Sequence, residues 1–304
     1  MKKLARLGKD FWSYRALLLM CVPAVLFFFA FCYAPMPGVY VAATKFNYAD
    51  GIFGSEFVGF DNFKFLFQSG QLALLLRNTV LYNIVFIVLG NIVQMSVAIL
   101  LNEVRLAKFR KVSQSIMFLP YFISDVLVAL IVYNLLNYDF GFISNIVGAN
   151  MPKVYSLPGA WPLIITLVFI WKNTGYGSIV YFAAIMGIGS EIMEAAKVDG
   201  ANGLQRIRYI TLPCLKPTFI ILLLFALGGI VRGNFGMFYN LVGLNSMLFG
   251  ATDIIETYVY RSMMNNFNFA QSSAVGLFQS AVGFAIVLTV NQIIKKVEPD
   301  YALF

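Results

Sequence analysis

Only a few side chains in this 304-residue sequence could do chemistry, and the most informative lie where charge is unfavourable. Asp125, Lys172 and Arg232 sit within or beside long apolar runs. Ionisable groups in such runs turn toward a bundle interior or a wet cavity, where they pair, relay ions or meet a solute. Tyr121 precedes Asp125 by four residues and Tyr176 follows Lys172 by four, so each pair is expected on one helix face. Asn173 adjoins Lys172, and Asn83 and Gln94 fall on one face of a single helix. These phenols, amides and the Asp125 carboxylate could line a path for a polar solute. They could equally bond helix to helix, the reading favoured for Asn83 and Gln94. Asp125 could neutralise Lys172 or bind a helix end, and Lys172 could reach an interface along its stem; a structural role is favoured for Lys172.

Covalent and metal chemistry find little support. The absence of histidine removes His-based proton relays, triads and histidine metal sites. Cys21, Cys32 and Cys214 have no metal-site spacing. Cys21 and Cys32 would stand about 16 Å apart on one helix at about 1.5 Å per residue, too far for a disulfide. All three are expected as small packed apolar residues. No G-x-x-x-x-G-K-[ST] loop is present, so the chain does not cradle ATP phosphates in that way.

A second group of polar residues is clustered. Glu191, Glu194, Lys197 and Asp199 stand between two apolar runs, so this segment must meet water. Ser190 is expected to cap a short helix whose first turns carry Glu191 and Glu194, where the helix dipole favours negative charge. Ala195 and Ala196 supply a small-residue face. Asp199-Gly200, followed by Ala201, is a turn signal, because glycine takes positive φ without steric cost. A second short helix, 204–210, is expected before Pro213. From composition alone this elbow is either an interfacial helix or a docking surface.

The elements that must position these groups are membrane helices. The composition is 60% hydrophobic, 16% aromatic and 12% charged, against roughly 25% charged in soluble domains. Charge gaps place about six spans, at roughly 16–34, 78–102, 112–136, 161–185, 217–231 and within 262–294, each near the ~20 residues a crossing needs. The first apolar run exceeds the about 7–15 residues of a secretory core, so it is expected to be retained rather than cleaved. Fifteen of the 22 lysines and arginines fall in the first 15 residues, the tail and the loops after spans two and four. Positive residues stay cytoplasmic, so both termini and the elbow are expected inside. The net charge of +8 then reflects topology, not nucleic-acid binding.

The elbow also carries a spaced signature. Glu194-Ala195-Ala196, three residues, Gly200, nine residues, then Ile210-x-Leu212-Pro213 resembles the cytoplasmic motif of permease subunits of ATP-binding-cassette importers. Leu204 and Ile207 depart from positions that are often aromatic in the sugar branch. Phe118-Leu119-Pro120-Tyr121, Trp171-Lys172-Asn173-Thr174 and Ala183-Ala184-Ile185 resemble carbohydrate permeases of the maltose-transporter type. Pro35-Met36-Pro37-Gly38, Asn102-Glu103-Val104-Arg105, the run from Thr252 to Arg261 and the tail Tyr301-Ala302-Leu303-Phe304 resemble the narrower LplB-like group, which is associated with oligosaccharides from complex polysaccharides.

The resemblance implies an all-α, type I importer permease fold: a cytoplasmic segment 1–15, one transmembrane domain 16–294 with a coupling loop at about 188–212, and a cytoplasmic tail 295–304. It implies a second homologous permease, two ATPase subunits holding ATP and Mg, and an extracytoplasmic solute-binding lipoprotein that delivers an oligosaccharide. The chain would need no cofactor of its own and would lie in a bacterial cytoplasmic membrane. Glu191, Glu194, Ala195, Ala196, Asp199, Gly200, Ala201, Ile210, Leu212 and Pro213 would engage an ATPase subunit. Tyr121, Asp125, Asn83, Gln94, Asn173 and Tyr176 are candidates for the sugar path. The outward aromatics Tyr40, Phe46, Tyr48, Phe53, Phe57 and Phe60 suit either an interfacial belt or a docking surface for the binding protein. The alternatives are a peptide or lipid importer, or a secondary carrier using Asp125, Lys172 and Arg232.

Overall fold

The computed structural model describes residues 14–148 and 151–297. The basic run Lys2 to Lys9 and the tail Tyr301 to Phe304 lie outside the described residues. Among the described residues the chain is helical apart from loops and one two-residue ladder, Thr44–Lys45 against Glu56–Phe57. The principal helices are α1 (Arg15–Phe28), α2 (Asp61–Gln68), α3 (Gln71–Glu103), α4 (Ala107–Phe122), α5 (Asp125–Leu136) and α6 (Trp161–Met186). They continue with α7 (Ser190–Val198), α8 (Gly203–Gly228), α9 (Phe235–Val242), α10 (Ile255–Met264) and α11 (Phe269–Val297).

Five stretches are long and apolar enough to cross a membrane, and a sixth crossing results if the bent pair α4–α5 counts as one. The fold is therefore all-α and multi-pass, as expected, with two corrections to the spans. The third is not one helix. α4 and α5 meet at 97° across Ile123 and Ser124. Pro120 withdraws an N–H from the end of α4, and Ser124 starts a new helix by accepting from the Leu127 N–H at 3.3 Å. Tyr121 and Asp125 consequently do not share a helix face. The fifth span begins at Gly203, not near residue 217. A π turn at Ile207–Thr211 leads into Leu212 and Pro213 without a break, so the expected second short helix is the first turns of α8.

Because lipid tails are as apolar as leucine, close packing and hydrogen bonds, not burial from water, hold such helices together. Gly175 shows the first effect: a Cβ there would stand 2.0 Å from the Met117 carbonyl oxygen, so α6 and α4 touch backbone to backbone. Phe86 of α3 and Phe169 of α6 stack at 3.9 Å. Near the elbow, Ala98, Tyr181, Ile185 and Leu215 knit α3, α6 and α8. Around α5, α9 and the start of α6, the core is built on Val128, Trp161, Ile165 and Phe238. α1 contributes no buried residue. Cys21 on α1, Cys32 in the turn that follows it and Cys214 on α8 are all exposed, so the packed environment expected for these cysteines is absent among the described residues.

The segment between α8 and α11 is tied to α3 by side chains. Asn78 donates to the Asp253 carbonyl at 3.0 Å, Tyr82 to that of Ala251 at 2.8 Å, and Thr79 accepts from the Ile255 N–H at 3.1 Å. Asn83 donates to the carbonyls of Ile230 and Arg232 at 2.8 and 2.9 Å. Asn83 lies about 18 Å along α3 at about 1.5 Å per residue. Irregular backbone at that depth persists only where such partners satisfy it.

Candidate functional site

Two places combine exposed polar chemistry with a defined shape. The first is the elbow. Its first helix, α7, is capped by Gly189, one residue earlier than expected, and Ser190 is its first residue, with no side-chain cap. The helix closes as a left-handed C-terminal turn. Ala201 N–H donates to the Ala196 carbonyl and Asp199 N–H to that of Ala195, both at 2.9 Å, and Gly200 takes φ +77°. Asn202 and Gln205 then form a reciprocal capping box, at 2.9 and 2.8 Å, that starts α8. The predicted Asp199-Gly200 turn is thus present, with the capping box as its unforeseen complement.

The elbow leaves much of its surface uncovered. Val198 is 88% and Leu204 79% exposed; Ile192, Tyr209 and Leu212 are exposed as well. Glu191, Glu194, Ala195, Asp199, Gly200 and Pro213 are exposed, while Ala196, Ala201 and Ile210 are half-buried. A cleft of about 300 Å³ runs between the two helices, lined by Asp199, Gly200, Ala201, Gln205, Tyr209 and Ile210. Arg206 also faces it, and its Nε is buried with no hydrogen-bond partner among the described residues. An orphan donor beside uncovered apolar side chains is a surface shaped for contact with another body.

The second place lies on α3, α4 and α6. Tyr121 stacks on Tyr176 at 4.5 Å with ring planes 10° apart, and Phe118 extends the stack at 6.3 Å. Lys172 donates to Asp125 in an ion pair across the α4–α5 break. The pair is one of the arrangements open to Asp125 and Lys172 from the sequence. Asp125 is further enclosed by α9, where a Cβ on Gly236 would stand 2.5 Å from its Oδ2. Beside this strut a cavity of about 320 Å³ opens, lined by Asn83, Asn91, Gln94, Phe169, Asn173 and Tyr176 among others. Gln94 donates to the Asn173 carbonyl at 3.4 Å and Tyr181 to Asn91 Oδ1.

Of the six path candidates, then, Asn83, Gln94, Asn173 and Tyr176 share one cavity. Tyr121 joins through its stack, and Asp125 is drawn aside by Lys172. Asn83 and Gln94 also bond helix to backbone, so the two sequence readings of these amides coexist. Sequence reasoning missed Asn91, which follows Asn83 by eight residues on the same apolar helix, a spacing that signals its place on that face. It also missed Gln279, which donates to the Val231 carbonyl and to Glu256 Oε1. At the end of the molecule opposite the elbow, Tyr133, Tyr138, Lys153 and Tyr155 line a further pocket. Burial, reinforced by Tyr133, pushes the Tyr155 phenol up to about 12, so it stays a neutral donor.

Known proteins share this architecture. The family described as binding-protein-dependent transport system inner membrane component matches residues 94–301. The polygalacturonan/rhamnogalacturonan transport system permease protein YteP of Bacillus subtilis is 37% identical, over 92% of this chain and 88% of its own. The protein LplB of the same organism is 33% identical, over 98% and 92%. A bacterial alginate ABC transporter, solved in complex with an alginate pentasaccharide-bound periplasmic protein, contains a chain that superposes with TM-score 0.86 at 33% identity, covering 96% of this chain and 98% of that one. A second structure, of an ABC transporter importing the acidic polysaccharide alginate, gives 0.87 at 33%, over 96% and 99%. The chain belongs to the binding-protein-dependent inner membrane components, the permease subunits of ATP-binding-cassette transporters.

Proposed function

We propose that this chain is the membrane permease subunit of an ATP-driven importer that moves an oligosaccharide delivered by an extracytoplasmic solute-binding protein. The observation that carries the mechanism is the uncovered elbow, with its cleft, its orphan Arg206 Nε and its exposed Val198 and Leu204. In this reading an ATPase subunit covers it. Glu191, Glu194, Ala195, Ala196, Asp199, Gly200 and Ala201 form the contact, and Ile210, Leu212 and Pro213 carry its motion along α8. Two ATPase subunits hold ATP and Mg, so hydrolysis takes place off this chain. Their closure pushes the elbows of this permease and a second, homologous permease together and shifts the helices between inward and outward access.

The names of its relatives support a saccharide substrate, and the cavity of Asn83, Asn91, Gln94, Asn173 and Tyr176 offers amides and an aromatic face suited to hydroxyl-rich rings. The basic residues at the elbow end support a topology with both termini in the cytoplasm of a bacterium. The neutralised Lys172–Asp125 pair weighs against a carrier that relays protons through these charges. The test is co-purification with an ATPase subunit, followed by uptake of labelled oligosaccharide into vesicles. Vanadate-sensitive uptake is the expected result. Uptake that persists without the ATPase would overturn the importer reading, and a peptide taken up in place of saccharide would overturn the substrate.

A further inference from the structure

Four cations away from the elbow, Lys172, Arg261, Arg77 and Arg232, differ in their partners. Lys172 is neutralised by Asp125. Arg261 grips both oxygens of buried Asp253 at 3.1 and 2.6 Å and lies over the Phe249 ring at 4.0 Å. Arg77 donates to Asn78 Oδ1 at 3.2 Å. Arg232 is exposed and has no carboxylate oxygen within 4.0 Å among the described residues. Its neighbouring acid, Glu256, attracts it from beyond that distance: Oε1 accepts from the Gly233 N–H and from Gln279 Nε2, both at 2.7 Å, and Oε2 is buried with no hydrogen-bond partner among the described residues.

The backbone that carries Arg232 is pinned in place. Asn83 holds its carbonyl at 2.9 Å, and Gln279 holds that of Val231. Those two amides lie about 18 Å and 15 Å from the starts of α3 and α11, at about 1.5 Å per residue. A guanidinium left facing hydrocarbon at such depth is costly, so it must face water, a solute or another chain. Phe235, three residues further along the chain, packs with Tyr239 and Tyr260 in a ring cluster with centroids 4.9–5.2 Å apart. Tyr260 stands one turn beyond Glu256 on α10, and Phe235 opens α9 three residues after Arg232.

We infer that Arg232 is a specificity determinant for carboxylated sugars: its planar guanidinium takes a uronate carboxylate in a two-point hydrogen bond as the oligosaccharide passes, with Phe235, Tyr239 and Tyr260 offering faces to the pyranose rings. The inference rests on the oligosaccharide reading above and narrows it to acidic chains. A polymer of galacturonate presents one such carboxylate at every residue, and alginate is likewise acidic.

The test uses the assembled importer in proteoliposomes, with its partner permease, ATPases and binding protein, and two probes: tetragalacturonate and its methyl ester. The quantity read is the acid-to-ester ratio of kcat/KM, in which the binding protein's own preference cancels between variant and wild type. Arg232→Gln should lower that ratio by about tenfold or more, the scale of one charged hydrogen bond, whereas Arg232→Lys should retain most of it. An unchanged ratio overturns the proposal, as does an equal loss of both probes in both variants, which marks a strut to the partner permease. Wild-type import of a neutral oligosaccharide without the acid also overturns it while leaving the oligosaccharide reading intact. Import of no saccharide at all sinks that reading itself.

Discussion

Removing one partner of the Lys172–Asp125 pair should damage the fold more than removing both. The two side chains are 14% and 25% exposed, at the break between α4 and α5. At an effective dielectric of about 20, unit charges about 4 Å apart attract by about 4 kcal/mol. Desolvation, several kcal/mol per ion, offsets most of that gain, but a charge left alone in such a site costs about 3–5 kcal/mol. Asp125→Asn leaves Lys172 unpaired under α6, and Lys172→Met leaves Asp125 unpaired beneath Gly236. With about 2–4 °C lost per kcal/mol in domains of 150–250 residues, each single variant should melt roughly 6–20 °C below wild type. The double variant Asp125→Leu with Lys172→Met should recover most of the loss. The assay is thermal unfolding of the detergent-solubilised permease followed by tryptophan fluorescence, with vesicle uptake measured alongside. Single variants as stable as wild type yet devoid of uptake would refute the strut and make the pair part of the solute or ion path.

The elbow and the packed helices give three further expectations. Gly200→Val places a β-branched residue at φ +77°, a local cost of at least about 1–2 kcal/mol, on a surface with no neighbour within 4 Å of the new Cβ. Membrane insertion should survive while ATP hydrolysis runs without uptake; wild-type uptake per ATP would count against the coupling role. Gly175→Val drives a side chain into the Met117 carbonyl, and overpacking on the scale of about 1–3 kcal/mol should lower the melting temperature; an unchanged melt would mean that α4 and α6 part freely. Asn83→Leu removes the donor to two carbonyls, each worth about 1–3 kcal/mol when left dry, and should raise protease cleavage in the 229–234 segment; unaltered cleavage would show that water replaces the amide.

Much of this chain was legible from its residues because membrane crossings and turns are local. Long uncharged runs need only their own length to become helices, so four crossings fell close to their expected places, whereas the fifth starts well before residue 217 and the third is a bent pair. The elbow was equally readable, since Asp199-Gly200 and the Glu194-Ala195-Ala196 spacing act through backbone conformation and helix period. The family membership that this spacing suggested holds across most of the chain. Fine boundaries were less visible: a π turn can carry a helix into Pro213, and Pro120 with Ser124 can end one helix and begin another at 97°.

Composition and period settled that the chain is an all-α, multi-pass membrane protein with a polar elbow between two crossings. Which charges are neutralised and which stand open was decided only by the tertiary structure. Lys172 and Asp125 are 47 residues apart, and Asn83 reaches carbonyls some 150 positions away. Whether an amide lines a cavity or satisfies a broken backbone depends on carbonyls that no side-chain pattern displays. Only once the helices are assembled does Arg232 stand exposed on a pinned, irregular stretch of backbone with no carboxylate oxygen within 4.0 Å among the described residues.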